Sequence, residues 1–151
     1  MFRFLLALSD WLRYSALTRR ELKTYALGAR GEDLAHRYLQ GQGLRVIARN
    51  YRGTSSAGEL DLIAWEEDRL VFVEVKSRTN DAFAAPERNI SPEKRRALFR
   101  VAREYARRAD VPFDQARFDI VSVVFEPQVQ IQHERDVFPI LTPAETVFLR
   151  R

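Results

Sequence analysis

The sequence predicts an α/β domain in the order helix, three strands, helix, strand, with a mixed central sheet flanked by helices. Three observations lead there. Two runs, Glu59 to Trp65 and Leu70 to Lys76, are almost wholly apolar and rich in β-branched residues, as buried strands are. Helical stretches with start signals lie on either side: Thr18-Arg19-Arg20-Glu21 matches a capping box, and Ser91-Pro92 supplies an N-cap with Pro at the first helical position. Arg117 to Phe125 reads as a further strand, and its return after a helical crossover makes it parallel to an earlier one.

Taken in order, residues 1–17 carry Phe2, Phe4, Leu5, Leu6, Leu8, Trp11 and Leu12, broken by Arg3, Asp10 and Arg13. The unbroken apolar run is too short for a signal peptide or a membrane span. It reads as an amphipathic extension packing on the body of the protein, on a second subunit of a homodimer or on a membrane surface, with packing on protein favoured. A domain over 18–138 follows, then a C-terminal extension over 139–151 in which Thr142-Pro143-Ala144-Glu145 resembles a helix start. The first long helix runs to about Gln40 and stops at Gly41-Gln42-Gly43. Within it Leu27, Leu34, Ala35, Tyr38 and Leu39 face inward, while Gly28 and Gly31 mark a close approach of a strand or a substrate backbone. Leu44 to Asn50 is the first strand, and Tyr51 to Ala57 a polar loop. The polar segment from Lys76 to Asn89 is long enough to be a flap. In the second helix Leu98, Val101, Ala102 and Tyr105 form the buried stripe, and Arg95, Arg96, Arg100, Arg103, Arg107 and Arg108 cover the remainder. Val129 to Gln132 is an edge strand.

With 151 residues, 46% of them hydrophobic, the chain suits one globular domain. A net charge of +4 and a pI near 9.7 point to a polyanionic partner rather than an integral membrane association. Cysteine is absent, which excludes disulfides and thiolate metal sites and reads as a cytoplasmic protein. The two His residues, His36 and His133, leave little room for a zinc site.

Four charges interrupt the apolar hairpin: Glu59, Asp61, Glu74 and Lys76. With the turn at Glu67-Asp68, antiparallel pairing sets Asp61 across from Glu74 and Glu59 across from Lys76, whereas a one-residue slip would mix charged and apolar faces. Val71, Val73 and Val75 fill the opposite face. An E-x-K pair by itself reads as a cross-strand ion pair on a solvated face. Two carboxylates opposed about 5 Å apart within an apolar sheet are different, because they need a shared proton or an intervening cation. Mg²⁺ or Mn²⁺, hard ions with oxygen ligands, meets that need where phosphate is also bound.

The D-x(12)-E-V-K spacing resembles the catalytic core of the PD-(D/E)XK, or restriction endonuclease-like, nuclease superfamily. The longer pattern, GARGEDLAHRYLQGQGLRVIARNYR, GELDLI, LVFVEVKSR and RFDIVSV, resembles the YraN family of uncharacterised bacterial proteins and covers about Ala26 to Phe138. One departure is Leu60, where the superfamily has Pro before the Asp. The resemblance implies a three-layer α/β core and a Mg-dependent endonuclease acting on nucleic acid, most simply DNA. Asp61, Glu74 and the Val75 backbone carbonyl would hold the ion, Lys76 would orient the attacking water, and Glu32 would be the acid that the first helix brings to the site. Glu59, opposite Lys76, would position that lysine. Arg49 and Arg52 at the mouth, Arg78, and Lys94, Arg95, Arg96 and Arg100 on the second helix are the expected phosphate contacts. Two other classes compete: a non-catalytic nucleic-acid-binding module of the same fold, and a protein-interaction scaffold supported by residues 1–17. The four hairpin charges favour the enzyme, since a binding module gains nothing from opposed buried carboxylates.

Overall fold

The computed structural model describes residues 19–54, 58–80 and 90–138. The N-terminal extension, the Ser55-Ser56 loop, most of the expected flap and the C-terminal extension lie outside the described residues. Helix α1 (Arg19–Gly41) is followed by strands β1 (Arg45–Arg52), β2 (Glu59–Glu66) and β3 (Arg69–Arg78), helix α2 (Pro92–Arg108), a short 3-10 turn (Phe113–Gln115), and strands β4 (Arg117–Val124) and β5 (Gln130–Glu134). The strands form one sheet in the order β1-β2-β3-β4-β5. Pairing is antiparallel except between β3 and β4, which run parallel across the α2 crossover as the sequence predicts.

Local chemistry fixes the ends of both helices. Ser91 Oγ accepts the Lys94 N–H at 3.1 Å and Pro92 occupies the first helical position, so two of the orphan groups of α2 are dealt with at once. Both helices close with the paired bonds of a Schellman motif, Leu44 N–H to Leu39 O at 3.0 Å after α1 and Val111 N–H to Ala106 O at 2.9 Å after α2. The left-handed position is filled by Gly43 (φ 90°) in the first and by Asp110 (φ 55°) in the second.

The helices cover opposite faces of the sheet. Ala35 and Leu39 of α1 pack with Leu62, Ala64, Val71, Val73, Val121 and Val123, while Leu98, Val101, Ala102 and Ala106 of α2 pack with Ile63, Leu70, Phe72, Phe118 and Ile120. Strands buried on both faces account for the near-continuous apolar runs. Gly31 is the point of closest approach: a Cβ there would come within 2.9 Å of Ser77 Cβ on β3 and nearer still to its Oγ. The neighbour expected for this glycine is thus a strand, whereas Gly28 has open space around it.

A second set of charges lies on the α1 side of β4. Asp119 is 1% exposed and accepts from Arg117 Nε (2.9 Å), Arg117 Nη2 (3.1 Å) and the Asp136 N–H (3.0 Å), with His133 Nε2 at 2.8 Å. Arg117 also binds Glu66, which receives Arg135 Nη1 at 2.8 Å. Burial alone would push the Asp119 carboxyl up, but these donors outweigh it and hold the group below the ordinary aspartate value. A group depressed in this way stabilises the fold above its unfolded value and stops doing so as pH falls through the folded value, so its contribution is lost in acid. Asp119→Ala leaves the buried Arg117 guanidinium with Glu66 alone and removes the acceptor of His133 and the Asp136 N–H, and is expected to destabilise the protein by about 2–4 kcal/mol near neutral pH. Urea unfolding measures this, and a destabilisation below about 1 kcal/mol, the worth of an exposed pair, would show that the cluster is not structural.

Candidate functional site

The candidate site is built where the β2–β3 ladder ends. Paired residues run from Glu66 and Arg69 to Leu62 and Val73, the register expected from the hairpin, with Glu67 at φ 53° in the two-residue turn. One step further, Asp61 falls opposite Glu74. There the backbone pairing stops, and Asp61 Oδ2 accepts the Val75 N–H at 2.7 Å in place of a strand carbonyl. In an extended strand the N–H and C=O of one residue project from the same edge, so the Val75 carbonyl also faces this gap.

Glu74 shares the parity of Leu70 and Phe72 and therefore projects on the α2 side, where it is 4% exposed. Its Oε1 meets Lys76 Nζ at 3.1 Å and also the ammonium of Lys94 from the first turn of α2. Its Oε2 is buried with no hydrogen-bond partner among the described residues, an exception to the usual satisfaction of buried polar atoms. Asp61 is the strongly perturbed acid. Burial, followed by the charge of Glu74, raises its pKa to about 7, against the opposing pull of the Val75 N–H and Lys94. Lys94 is held above the ordinary lysine value, because Glu74 and Asp61 outweigh the cost of its partial burial. The chain has lysine only at 23, 76 and 94, and two of the three converge on one carboxylate oxygen.

The expected site residues divide into those gathered here and those elsewhere. Asp61, Glu74, Val75 and Lys76 come together. Glu32 of α1 is near enough for its charge to bear on Asp61, and it shares Arg49 (3.7 Å) with Asp33, whose Oδ1 is 2.7 Å from the guanidinium. Glu59 is a correction: it is not opposite Lys76. Its Cα partner is Arg52 on β1 and its carboxylate takes Arg52 Nε at 2.5 Å. The reason is the end of the ladder at Leu62, beyond which β2 pairs with β1 alone.

The expected phosphate contacts are redistributed as well. Arg49 and Arg52 are ion-paired, Arg78 is half-buried at the end of β3, and Arg96 pairs with Glu93 at 3.3 Å. Arg95 stacks on Phe138 and Phe99, 4.7 and 5.5 Å from the ring centres. Lys94 belongs to the carboxylate pair. Arg100 remains outward-facing, and the helical period aligns it with Arg103 and Arg107, giving a stripe that has no ion-paired carboxylate among the described residues. Arg103 lies over Phe113 at 5.0 Å. Sequence reasoning misses the role of Lys94 at the carboxylates, although a hint is there: capping boxes favour Glu at the third helical position, and the positive end of the helix dipole disfavours Lys there.

Residues 31–123, which contain Glu32, Asp61, Glu74, Lys76 and Lys94, match the model of the uncharacterised protein family UPF0102. The chain belongs to the UPF0102 family. Similar relatives include UPF0102 proteins of Solibacter usitatus, 47% identical over 84% of this chain and 98% of that protein, and of Rhodococcus opacus, 45% identical over 75% and 96%. A UPF0102 protein of Syntrophus aciditrophicus is 35% identical over 75% of this chain and 88% of its own length. No described helix of this UPF0102 chain is long and apolar enough to cross a membrane.

The raised Asp61 pKa has a consequence for stability. A carboxyl whose folded pKa exceeds its unfolded value binds protons more tightly when folded, so stability is lost as pH rises from about 4 to about 7. Urea unfolding in a chelator at pH 5 and pH 8 is expected to show the wild type losing on the order of 1–3 kcal/mol relative to Asp61→Asn, which keeps the acceptor for Val75 but cannot ionise. Parallel pH profiles for the two proteins would contradict the assigned burial of this charge.

Proposed function

We propose that this protein is a metal-dependent nuclease of the restriction endonuclease-like kind, hydrolysing phosphodiester bonds of nucleic acid, with DNA the leading substrate. The observation that carries the reading is the opposed Asp61–Glu74 pair with Lys76 beside it, at the one rung of the β2–β3 hairpin where the ladder opens. Among the described residues no three acidic or histidine side chains form a cage for an ion. Mg²⁺ does not require one, because it is commonly held by one or two carboxylates and completes its shell with water and phosphate. The buried, unpartnered Glu74 Oε2, the raised Asp61 pKa and the Val75 carbonyl at the same edge suit such an ion.

Asp61, Glu74 and the Val75 carbonyl would hold Mg²⁺ or Mn²⁺. When bound, the ion supplies Lewis-acid polarisation of the phosphoryl group and a lowered pKa for the attacking water. Lys76 would orient that water and offset the negative charge growing on the phosphate, a role suited to a compact ammonium. Glu32 is placed to share the charge balance around Asp61 from the α1 side. The orientation of Lys76 falls to Glu74, its ion-pair partner, and not to Glu59. The outward stripe of Arg100, Arg103 and Arg107 would receive the phosphate backbone.

A second reading, a nucleic-acid-binding module without catalysis, draws on the pairing of Glu74 with Lys76 and Lys94, which gives the carboxylates a counter-charge of their own. Cleavage assays with Mg²⁺ and Mn²⁺ over duplex, branched and single-stranded DNA and RNA separate the two. Asp61→Asn and Glu74→Gln are expected to abolish ion-dependent cleavage with the fold retained. Lys76→Ala should slow single-turnover cleavage by about a hundredfold, or about 3 kcal/mol of transition-state stabilisation. Cleavage absent from the wild type across the panel, or unaffected by the Asp61 and Glu74 changes, would sink the nuclease reading in favour of the module.

Replacing Arg100, Arg103 and Arg107 with Gln tests the binding face. For every phosphate that such a change frees from its arginine, the slope of log affinity against log salt is expected to fall by about 0.9 on duplex DNA. An unchanged slope in the triple variant would move the nucleic-acid face off this helix.

A further inference from the structure

Lys94 stands in an unfavourable place for local reasons alone. It occupies the third position of α2, where its backbone N–H is taken by Ser91 Oγ at 3.1 Å, and a cation in the first turn opposes the helix dipole. Its side chain instead reaches across to β3 and binds Glu74 Oε1, the oxygen already 3.1 Å from Lys76 Nζ. Two ammonium groups on one oxygen repel each other, while the companion oxygen of the same carboxylate has no partner among the described residues. With both carboxylates ionised, Asp61 and Glu74 carry two negative charges, which Lys76 and Lys94 match with two positive ones. A divalent cation added to that quartet leaves it with an excess of two, which favours withdrawal of one ammonium. Lys76 is fixed on the same strand as Glu74 and is 21% exposed, whereas Lys94 comes from another element and is 45% exposed. Withdrawal of Lys94 is the smaller rearrangement.

Resting on the metal-site reading above, we propose that Lys94 is a tethered counter-ion of the carboxylate pair: its ammonium neutralises the Glu74 carboxylate from Oε1 until a divalent cation binds that carboxylate, and, once displaced, it faces the phosphate of bound nucleic acid. The ion and the ammonium then compete for the charge of one carboxylate. The site stays electrically closed without metal, and the positive charge that metal releases is handed to the substrate. Lys94 is in this sense a positioning residue for both, and its contact with nucleic acid depends on the ion.

Calorimetric Mn²⁺ titration of the full chain tests the competition directly, comparing wild type with Lys94→Met, Lys94→Gln and Lys94→Arg. Removal of the competing charge is expected to tighten Mn²⁺ binding by about tenfold in the Met and Gln variants, equivalent to about 1.4 kcal/mol, while Lys94→Arg stays near the wild type. The same Met and Gln variants are expected to bind a fluorescent DNA duplex more weakly than wild type with Ca²⁺ present, and equally in chelator. Tighter Mn²⁺ binding by the neutral variants, or binding by them alone, supports the proposal. Equal or weaker Mn²⁺ binding by both overturns the competition while leaving the metal site standing. DNA affinity unchanged with Ca²⁺ overturns the hand-over to substrate. Absence of Mn²⁺ binding in all four proteins overturns the proposal together with the metal reading on which it rests.

Discussion

At one rung of the sheet a carboxylate oxygen takes the place of a backbone carbonyl, and the candidate site depends on that exchange. Asp61 Oδ2 satisfies the Val75 N–H. A buried strand cannot leave an amide unpaired without a cost of a few kcal/mol, so the aspartate is drawn into the sheet rather than turned out to water. Its charge is thereby half-buried beside Glu74, where the Val75 N–H and Lys94 do not fully relieve it. The same exchange releases the end of β2 from β3, opening the edge to which the Val75 carbonyl points and committing Glu59 to Arg52 on the other side.

The sheet contains a second buried acid, and the contrast between the two is informative. Asp119 is more deeply placed than Asp61, yet Arg117, His133 and the Asp136 amide supply donors to both of its oxygens, and its pKa falls. Asp61 and Glu74 have ammonium groups crowded on one oxygen, one oxygen without a partner, and a pKa that rises. A satisfied network holds a fold together, whereas an under-satisfied pair stores a demand for a cation or a proton. Burial is common to both clusters, and the number and placement of donors distinguishes them.

The two cationic residue types are used in different ways. Apart from Arg117, buried on Asp119, arginine with its planar fork and long stem serves surface roles: pairing with Asp33, Glu59 and Glu93, stacking on Phe113 and Phe138, and forming the outward stripe of α2. Two of the three lysines, Lys76 and Lys94, are placed where a compact charge meets Glu74. A stripe of like charges along a helix costs stability in isolation, and a phosphate backbone is a partner that would relieve it.

Much of this was legible in the sequence because it depends on local periodicity and short-range chemistry. The apolar runs gave the strands, the Ser91-Pro92 and Gly41-Gln42-Gly43 signals bounded the helices, and the parity of charged and apolar positions fixed the hairpin register that brings Asp61 to Glu74. Family membership was legible on the same residues. What the sequence could not contain was any event that breaks the strand period or joins distant elements. Continuing the ladder past Leu62 placed Glu59 opposite Lys76, because pattern alone assumes that pairing goes on until the chain turns. Whether a side chain cuts in at Asp61 is decided by the competition of two neighbouring strands for one N–H. In the same way Lys94 read as one more phosphate contact on a basic helix, and no pattern joined Arg117, Asp119 and His133. Only the parallel crossover that lays the start of α2 against β3, and the β4–β5 pairing that brings His133 to Asp119, decides which charges meet. Sequence sets which residues share a face; tertiary packing sets which buried charges have to answer one another.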